Sequence, residues 1–242
     1  MQKHTVDVPG AEEFASRPKS RRDFFKTFAA ATAGAAGASL LLAGKASAQD
    51  YSSASASASA SASASASASA SASGDVEIGN FGLTLEYLEA EFYGLALDSG
   101  VLTGDALAVV TNLFDHESQH VDAIIAYLEA AGATPVAKPE FVFPEGTFDS
   151  QEAILDLAVV FEPTGIGAYL GAAPMIQAGP LLAAAGSIVG VEGEHYVAIK
   201  NLIGGLPAAT DAFPAALTMD EVLAAVAPFI VGSMMETGGK VH

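Results

Sequence analysis

The sequence predicts an all-α fold, a bundle of four long helices with one long crossover between the second and third and a short fifth helix towards the C-terminus. Two observations lead to this. From Gly74 onward the apolar residues recur with a helical period, and helix start and stop signals divide the chain into five segments. The connections between those segments are short, except for one rich in proline.

The first helix, A, is expected from about Asp75 to Leu97, stopping at Ser99-Gly100. Helix B follows Thr103 and runs to about Ala131, with Gly132 in place to take the left-handed conformation that ends many helices. Residues 133–149 hold Pro135, Pro139 and Pro144 and read as a long connection. Helix C opens around Ser150 and reaches about Gln177, with interruptions near Pro163 and Pro174. Helix D starts at Pro180, a residue suited to a first helical turn, and ends at Gly204-Gly205-Leu206-Pro207. The fifth helix begins after Thr218, whose spacing to Glu221 forms a capping box. Short turns make A–B and C–D antiparallel pairs. The B–C connection of about 17 residues can extend to roughly 55 Å, enough to run the length of a helix of about 40 Å. Residues 163–191 carry no charged side chain, yet three prolines, six glycines and Gln177 fall within them. We read them as closely packed bundle helices rather than a membrane span.

The domain plan has three parts: residues 1–48, 49–74 and 75–242. Near the N-terminus stands Ser20-Arg21-Arg22-Asp23-Phe24-Phe25-Lys26, then a weakly apolar run from Thr27 to Gly44, then Ala46-Ser47-Ala48 before Gln49. Residues 1–48 thus resemble a twin-arginine (Tat) export signal with its cleavage site. The resemblance implies export of the already folded chain to a periplasmic, extracellular or cell-surface location, with any cofactor inserted beforehand. Contact with a membrane is expected only if the signal stays uncleaved. Within 49–74, Ser and Ala alternate from Ser53 to Ser73, a low-complexity stretch that reads as a flexible spacer.

Composition narrows the function. The 242 residues are 51% hydrophobic, enough to build a core, and none is cysteine. That excludes a disulfide scaffold, a cysteine-based zinc or iron–sulfur site and a thiol nucleophile. The formal charge is −18, and seven of the ten basic residues lie in the first 45 positions. After residue 48 only Lys138, Lys200 and Lys240 face 24 acidic residues. Such a chain does not bind nucleic acid, which needs clustered Lys and Arg. There is no Gly-x-Gly-x-x-Gly, P-loop or Gly-x-Ser-x-Gly motif.

The chemistry lies in two Glu-x-x-His motifs, Glu117-Ser-Gln-His120 and Glu192-Gly-Glu-His195. On a helix, positions i and i+3 share a face, so each motif offers a carboxylate and an imidazole to one point. Glu86 precedes the first motif by 31 residues and Glu162 precedes the second by 30. A tyrosine stands seven residues after each, Tyr93 and Tyr169. The A–B and C–D halves therefore read as a repeat. Packed about a pseudo-twofold axis, they supply four carboxylates and two imidazoles, a donor set that suits two metal ions. Without metal, so many buried ionisable groups are costly to desolvate.

Over about residues 75–232 the chain resembles the ferritin-like superfamily. Three segments, 80–93, 167–176 and 217–230, are similar to exported ferritin-like-domain proteins related to plant desiccation-related proteins. The resemblance implies a ferritin-like four-helix bundle with one long B–C crossover. It makes Glu86, Glu117, His120, Glu162, Glu192 and His195 the candidate ligands of a dinuclear Fe or Mn centre. Glu89 is the alternative to Glu86 on helix A. Glu86 is preferred because its spacings to Tyr93 and Glu117 recur in the other half. Pro163, directly after Glu162, departs from a regular helix and is expected to kink or bulge it, with Thr164 placed to bond a freed carbonyl. His116 is read as a surface or supporting residue, and Tyr93 and Tyr169 as core hydrogen-bonders.

Two functions follow as expectations. One is an exported oxidoreductase of catalase or peroxidase type, acting on peroxide or dioxygen in stress protection. The other is a non-catalytic, desiccation-related surface protein whose metal site is structural or vestigial. A third, iron storage in a cage, fits poorly with a long N-terminal arm. The sequence leaves open the catalytic residues, the metal and the oligomeric state.

Overall fold

Among the described residues, five helices form in the order α1 (Ala54–Asp98), α2 (Gly104–Ala130), α3 (Gln151–Ala172), α4 (Gly179–Leu202) and α5 (Met219–Val226). Single 3₁₀ turns at Ala173–Met175 and Ala227–Phe229 follow α3 and α5. The computed structural model describes residues 54–205 and 211–232, all within the unit Lys45–His242. The twin-arginine segment, the first residues of the Ser/Ala tract and the stretch after Gly232 lie outside the described residues. Among the described residues there is no strand beyond an isolated bridge between Phe141 and Ile230.

The helix ends follow local chemistry. Ser150 caps α3 by accepting from the Ala153 N–H at 3.2 Å. At α5, Thr218 and Glu221 exchange side-chain and backbone bonds in the expected capping box. After α2, Gly132 adopts φ +76°, a conformation that a side chain would strain.

Three expectations need correction. The backbone is helical from Ala54, so α1 starts inside the tract read as a flexible spacer. Alanine is the strongest helix former, serine is tolerated, and no Gly or Pro interrupts the tract before Gly74. Secondly, α3 runs through Pro163 without a break and ends at Ala172 rather than near Gln177. Pro163 is exposed, so the carbonyl that loses its donor, Val159, lies on a face that water can reach. The Thr164 hydroxyl instead donates to the next carbonyl, Val160, at 2.8 Å. Thirdly, the crossover spans residues 131–150, longer than expected.

The close approaches set the helix directions. Gly79 and Gly94 of α1 lie against Leu128 and Phe114 of α2, so those helices are antiparallel. Tyr93 and Tyr169 reach Glu162 and Glu86, which makes α1 antiparallel to α3. Hence α2 and α3 run in the same direction, and the crossover must return along the bundle. It is held at several points. Asn80 Oδ1 accepts from the Val136 N–H at 2.6 Å. Phe143 and Phe148 pack with Phe92, their ring centroids 5.6 and 5.8 Å from its own. The Val142 N–H donates to the Phe229 carbonyl at 2.9 Å, joining the crossover to the turn after α5.

The segment Gln151–Met175 is apolar and long enough to cross a membrane, but 50% of its most apolar window is buried within the bundle. Leu88, Phe92, Leu113, Ile154, Phe161 and Ile199 lie in the core that encloses the bundle centre. At the end where α4 begins, the buried Asp75 carboxylate accepts from the Gln177 and Ala178 N–H groups at 2.8 and 2.7 Å. Asp75→Ala strands these donors and is expected to lower stability by about 2 kcal/mol. Urea unfolding monitored by circular dichroism checks this.

Candidate metal centre

Each long helix brings polar residues to the middle of the bundle. Glu86 comes from α1, Glu117 and His120 from α2, Glu162 from α3, and Glu192 and His195 from α4. The four glutamates are fully buried and His195 is 2% exposed. All six residues singled out in the sequence meet at one place.

The contacts fall into two sets. His120 Nδ1 lies 3.1 Å from Glu86 Oε2, 2.9 Å from Glu117 Oε2 and 3.4 Å from Glu192 Oε1. His195 Nδ1 lies 2.9 Å from Glu117 Oε1, 3.4 Å from Glu162 Oε2 and 3.9 Å from Glu192 Oε2. Glu117 and Glu192 therefore turn one oxygen to each imidazole, while Glu86 and Glu162 each serve one side. Ligand atoms of Glu86, Glu117, His120 and Glu192 lie within 4.8 Å of one another, as do those of Glu117, Glu162, Glu192 and His195.

The tyrosines cross between the halves. Tyr93 of α1 donates its hydroxyl to Glu162 Oε1 on α3, and Tyr169 of α3 donates to Glu86 Oε1 on α1. Each outer glutamate is thus anchored through one oxygen, with the other turned inward. Burial beside a carboxylate lifts both tyrosines well above their ordinary pKa, so they remain protonated donors.

The donor set fits a cation. Glu117 Oε1, Glu162 Oε2, both oxygens of Glu192 and His195 Nδ1 are buried without a hydrogen-bond partner. Their mutual distances are short, but the angles are not those of hydrogen bonds. Buried carboxylates in this state are stabilised by a bound metal or by protonation. Burial lifts Glu86 to about 7 against the pull of His120. Glu89 and Glu192 are raised well above the usual carboxylate range by burial and then by neighbouring carboxylates. Burial also acts to raise Glu117, but the close imidazoles of His120 and His195 outweigh it and bring Glu117 down to about 2. Burial acts to lower His195, but the surrounding carboxylates lift it to about 9.

The metal-free protein is therefore expected to be most stable near pH 5 and to weaken as pH rises. Glu86 holds in the folded state a proton that the unfolded chain has released, so stability falls between pH 4.5 and about 7. His195 contributes stability that is full below 6.5 and is lost as pH passes about 9. Glu117 has the opposite sign, and its contribution fades below 4.5 towards about 2. Thermal melts of dialysed protein from pH 4 to 9 check this, and a profile that rises with pH counts against it.

Two nearby residues were not assigned to the set by the sequence. Glu89, weighed there as a substitute for Glu86, is present as well as Glu86, with 4% exposure. Its place in the repeat corresponds to Gly165, where a Cβ would lie 3.4 Å from both Glu89 Oε1 and Glu192 Oε2. The glycine thus leaves room for the extra carboxylate. His116 Nδ1 lies 2.9 Å from His195 Nε2. The signal for both was helical spacing: Glu89 is i+3 from Glu86, and His116 is i−4 from His120.

Four helices, a lengthwise crossover and a buried carboxylate–imidazole cluster define a bundle protein with a candidate metal site at its centre. A family model described as a ferritin-like domain matches residues 74–205, just over half of the 242 residues. The chain belongs to the ferritin-like domain family. Among curated proteins, none matches the sequence.

Proposed function

We propose that this chain is an exported dinuclear iron or manganese protein that acts as an oxidoreductase on peroxide or dioxygen. The observation that carries the reading is the pair of shared carboxylates: Glu117 and Glu192 each present one oxygen to the His120 side and one to the His195 side. Two donor sets with common members suit two adjacent ions. Glu86, Glu117, His120 and Glu192 would hold one, and Glu117, Glu162, Glu192 and His195 the other. Oxygen-rich ligation with a single imidazole per ion suits manganese or iron. Bound there, such ions supply the two-electron exchange with an oxygen–oxygen bond that no side chain in the cluster provides.

The chain's own residues prepare that site. Tyr93 and Tyr169 hold the outer glutamates and retain their protons. The apolar core keeps bulk water from the four buried glutamates, which strengthens every charge interaction there. Export rests on the twin-arginine pattern at Arg21-Arg22 and places the protein where external oxidants arise.

The test is to purify the protein by its own export route, sequence its N-terminus and measure bound metals by mass spectrometry. A chain beginning at Gln49 with about two Mn or Fe ions, and peroxide or dioxygen turnover that depends on them, supports the reading. Metal that raises the melting temperature without turnover overturns the catalytic part. A chain free of transition metal overturns the whole.

A further inference from the structure

His116 lies outside the six-residue set, yet we infer that it is the positioning residue of His195, acting on one half of the centre only. The inference rests on the metal reading above. His195 turns Nδ1 to Glu117, Glu162 and Glu192, and its other nitrogen, Nε2, lies 2.9 Å from His116 Nδ1. The two rings are within 19° of coplanar with centroids 5.2 Å apart. The contact therefore runs along the ring planes, the direction in which an imidazole N–H donates and an imidazole nitrogen accepts.

This arrangement selects a tautomer. A neutral imidazole can offer Nδ1 to an ion only when its one proton is on Nε2. His195 then donates that Nε2–H to the lone pair of His116 Nδ1, which keeps the ring oriented and its Nδ1 free to ligate. His116 is half-buried and lines a surface cleft with Asn112 and Glu194, so its ring is held between the site and the exterior.

The other half lacks the device. The repeat that pairs Glu117 with Glu192 and His120 with His195 pairs His116 with Val191, a hydrocarbon side chain. His120 receives no acceptor from that position. The two donor sets, alike in their ligand types, therefore differ in how firmly their imidazoles are fixed. The ion on the His195 side is bound more tightly for that reason.

Cobalt(II) titration of the metal-free full chain tests this, because its visible absorption reports each ion's ligands as well as its affinity. The wild type takes two ions in resolvable steps. His116→Val, which copies the residue at 191, weakens one step 10- to 100-fold and shifts its absorption band, leaving the other step unchanged. His116→Asn restores a hydrogen-bond acceptor beside His195 and recovers most of the lost affinity and the original band. Unchanged steps in His116→Val overturn the inference, as does equal weakening of both steps or failure of His116→Asn to recover either. A wild type that binds no cobalt fails at the metal reading itself, and the inference falls with it.

Discussion

Glu117→Ala is expected to empty both halves of the centre, whereas Glu86→Ala empties one. Glu117 is the residue closest to both imidazoles, with Oε2 2.9 Å from His120 Nδ1 and Oε1 2.9 Å from His195 Nδ1. Its removal takes a ligand from each donor set at once. Glu86 contacts His120 alone among the two imidazoles. Metal content by mass spectrometry should therefore fall at least tenfold in Glu117→Ala, since even loss of a supporting contact weakens a metal site tenfold or more. In Glu86→Ala it should fall by about half. The double variant Glu117→Ala/His195→Ala should bind no more than the single one. Stability gives a second readout, since an ion that binds only the folded chain raises the melting temperature. Added manganese should stabilise the wild type and leave Glu117→Ala unmoved. Equal losses in Glu117→Ala and Glu86→Ala would show that Glu117 does not serve two ions.

The largest effect on folding is expected from Gly171→Ala. A Cβ at Gly171 would stand 1.8 Å from the Leu217 carbonyl oxygen and 2.8 Å from its carbon. These are backbone atoms, which cannot turn aside as a flexible side chain can. One turn earlier, the Gly167 carbonyl accepts from the Leu217 N–H at 2.9 Å, so the segment before α5 is tied to α3 at the point of closest approach. Alanine favours the helix itself by up to about 1 kcal/mol, but displacing packed backbone costs about 3 kcal/mol or more. For a chain of this size that lowers the melting temperature by about 6–12 °C. Gly190→Ala on α4 is the control, because nothing lies within 4 Å of its Cβ position. It should raise stability by about 0.5–1 kcal/mol. A Gly171→Ala protein that melts with the wild type would falsify the close crossing.

Helix spans were legible because their determinants are local. The Ser150 cap, the Thr218–Glu221 box and the turn at Gly132 each act within a few residues, so the chain order alone carries them. The misjudged spans had a common cause. Whether a Ser/Ala tract or a proline stops a helix depends on what surrounds it, and Pro163 is tolerated because its face of α3 is exposed.

For the centre, the sequence by itself determined which residues could meet. Two Glu-x-x-His motifs and two spaced glutamates mark one face on each of four helices, because i and i+3 share a face. Only the tertiary structure decided how those faces combine. It crossed Tyr93 to Glu162 and Tyr169 to Glu86, brought Glu89 beside Gly165, and set His116 against His195. Periodicity reports the direction of a side chain around its own helix axis. The neighbour it meets depends on the axial register between helices, which packing alone sets.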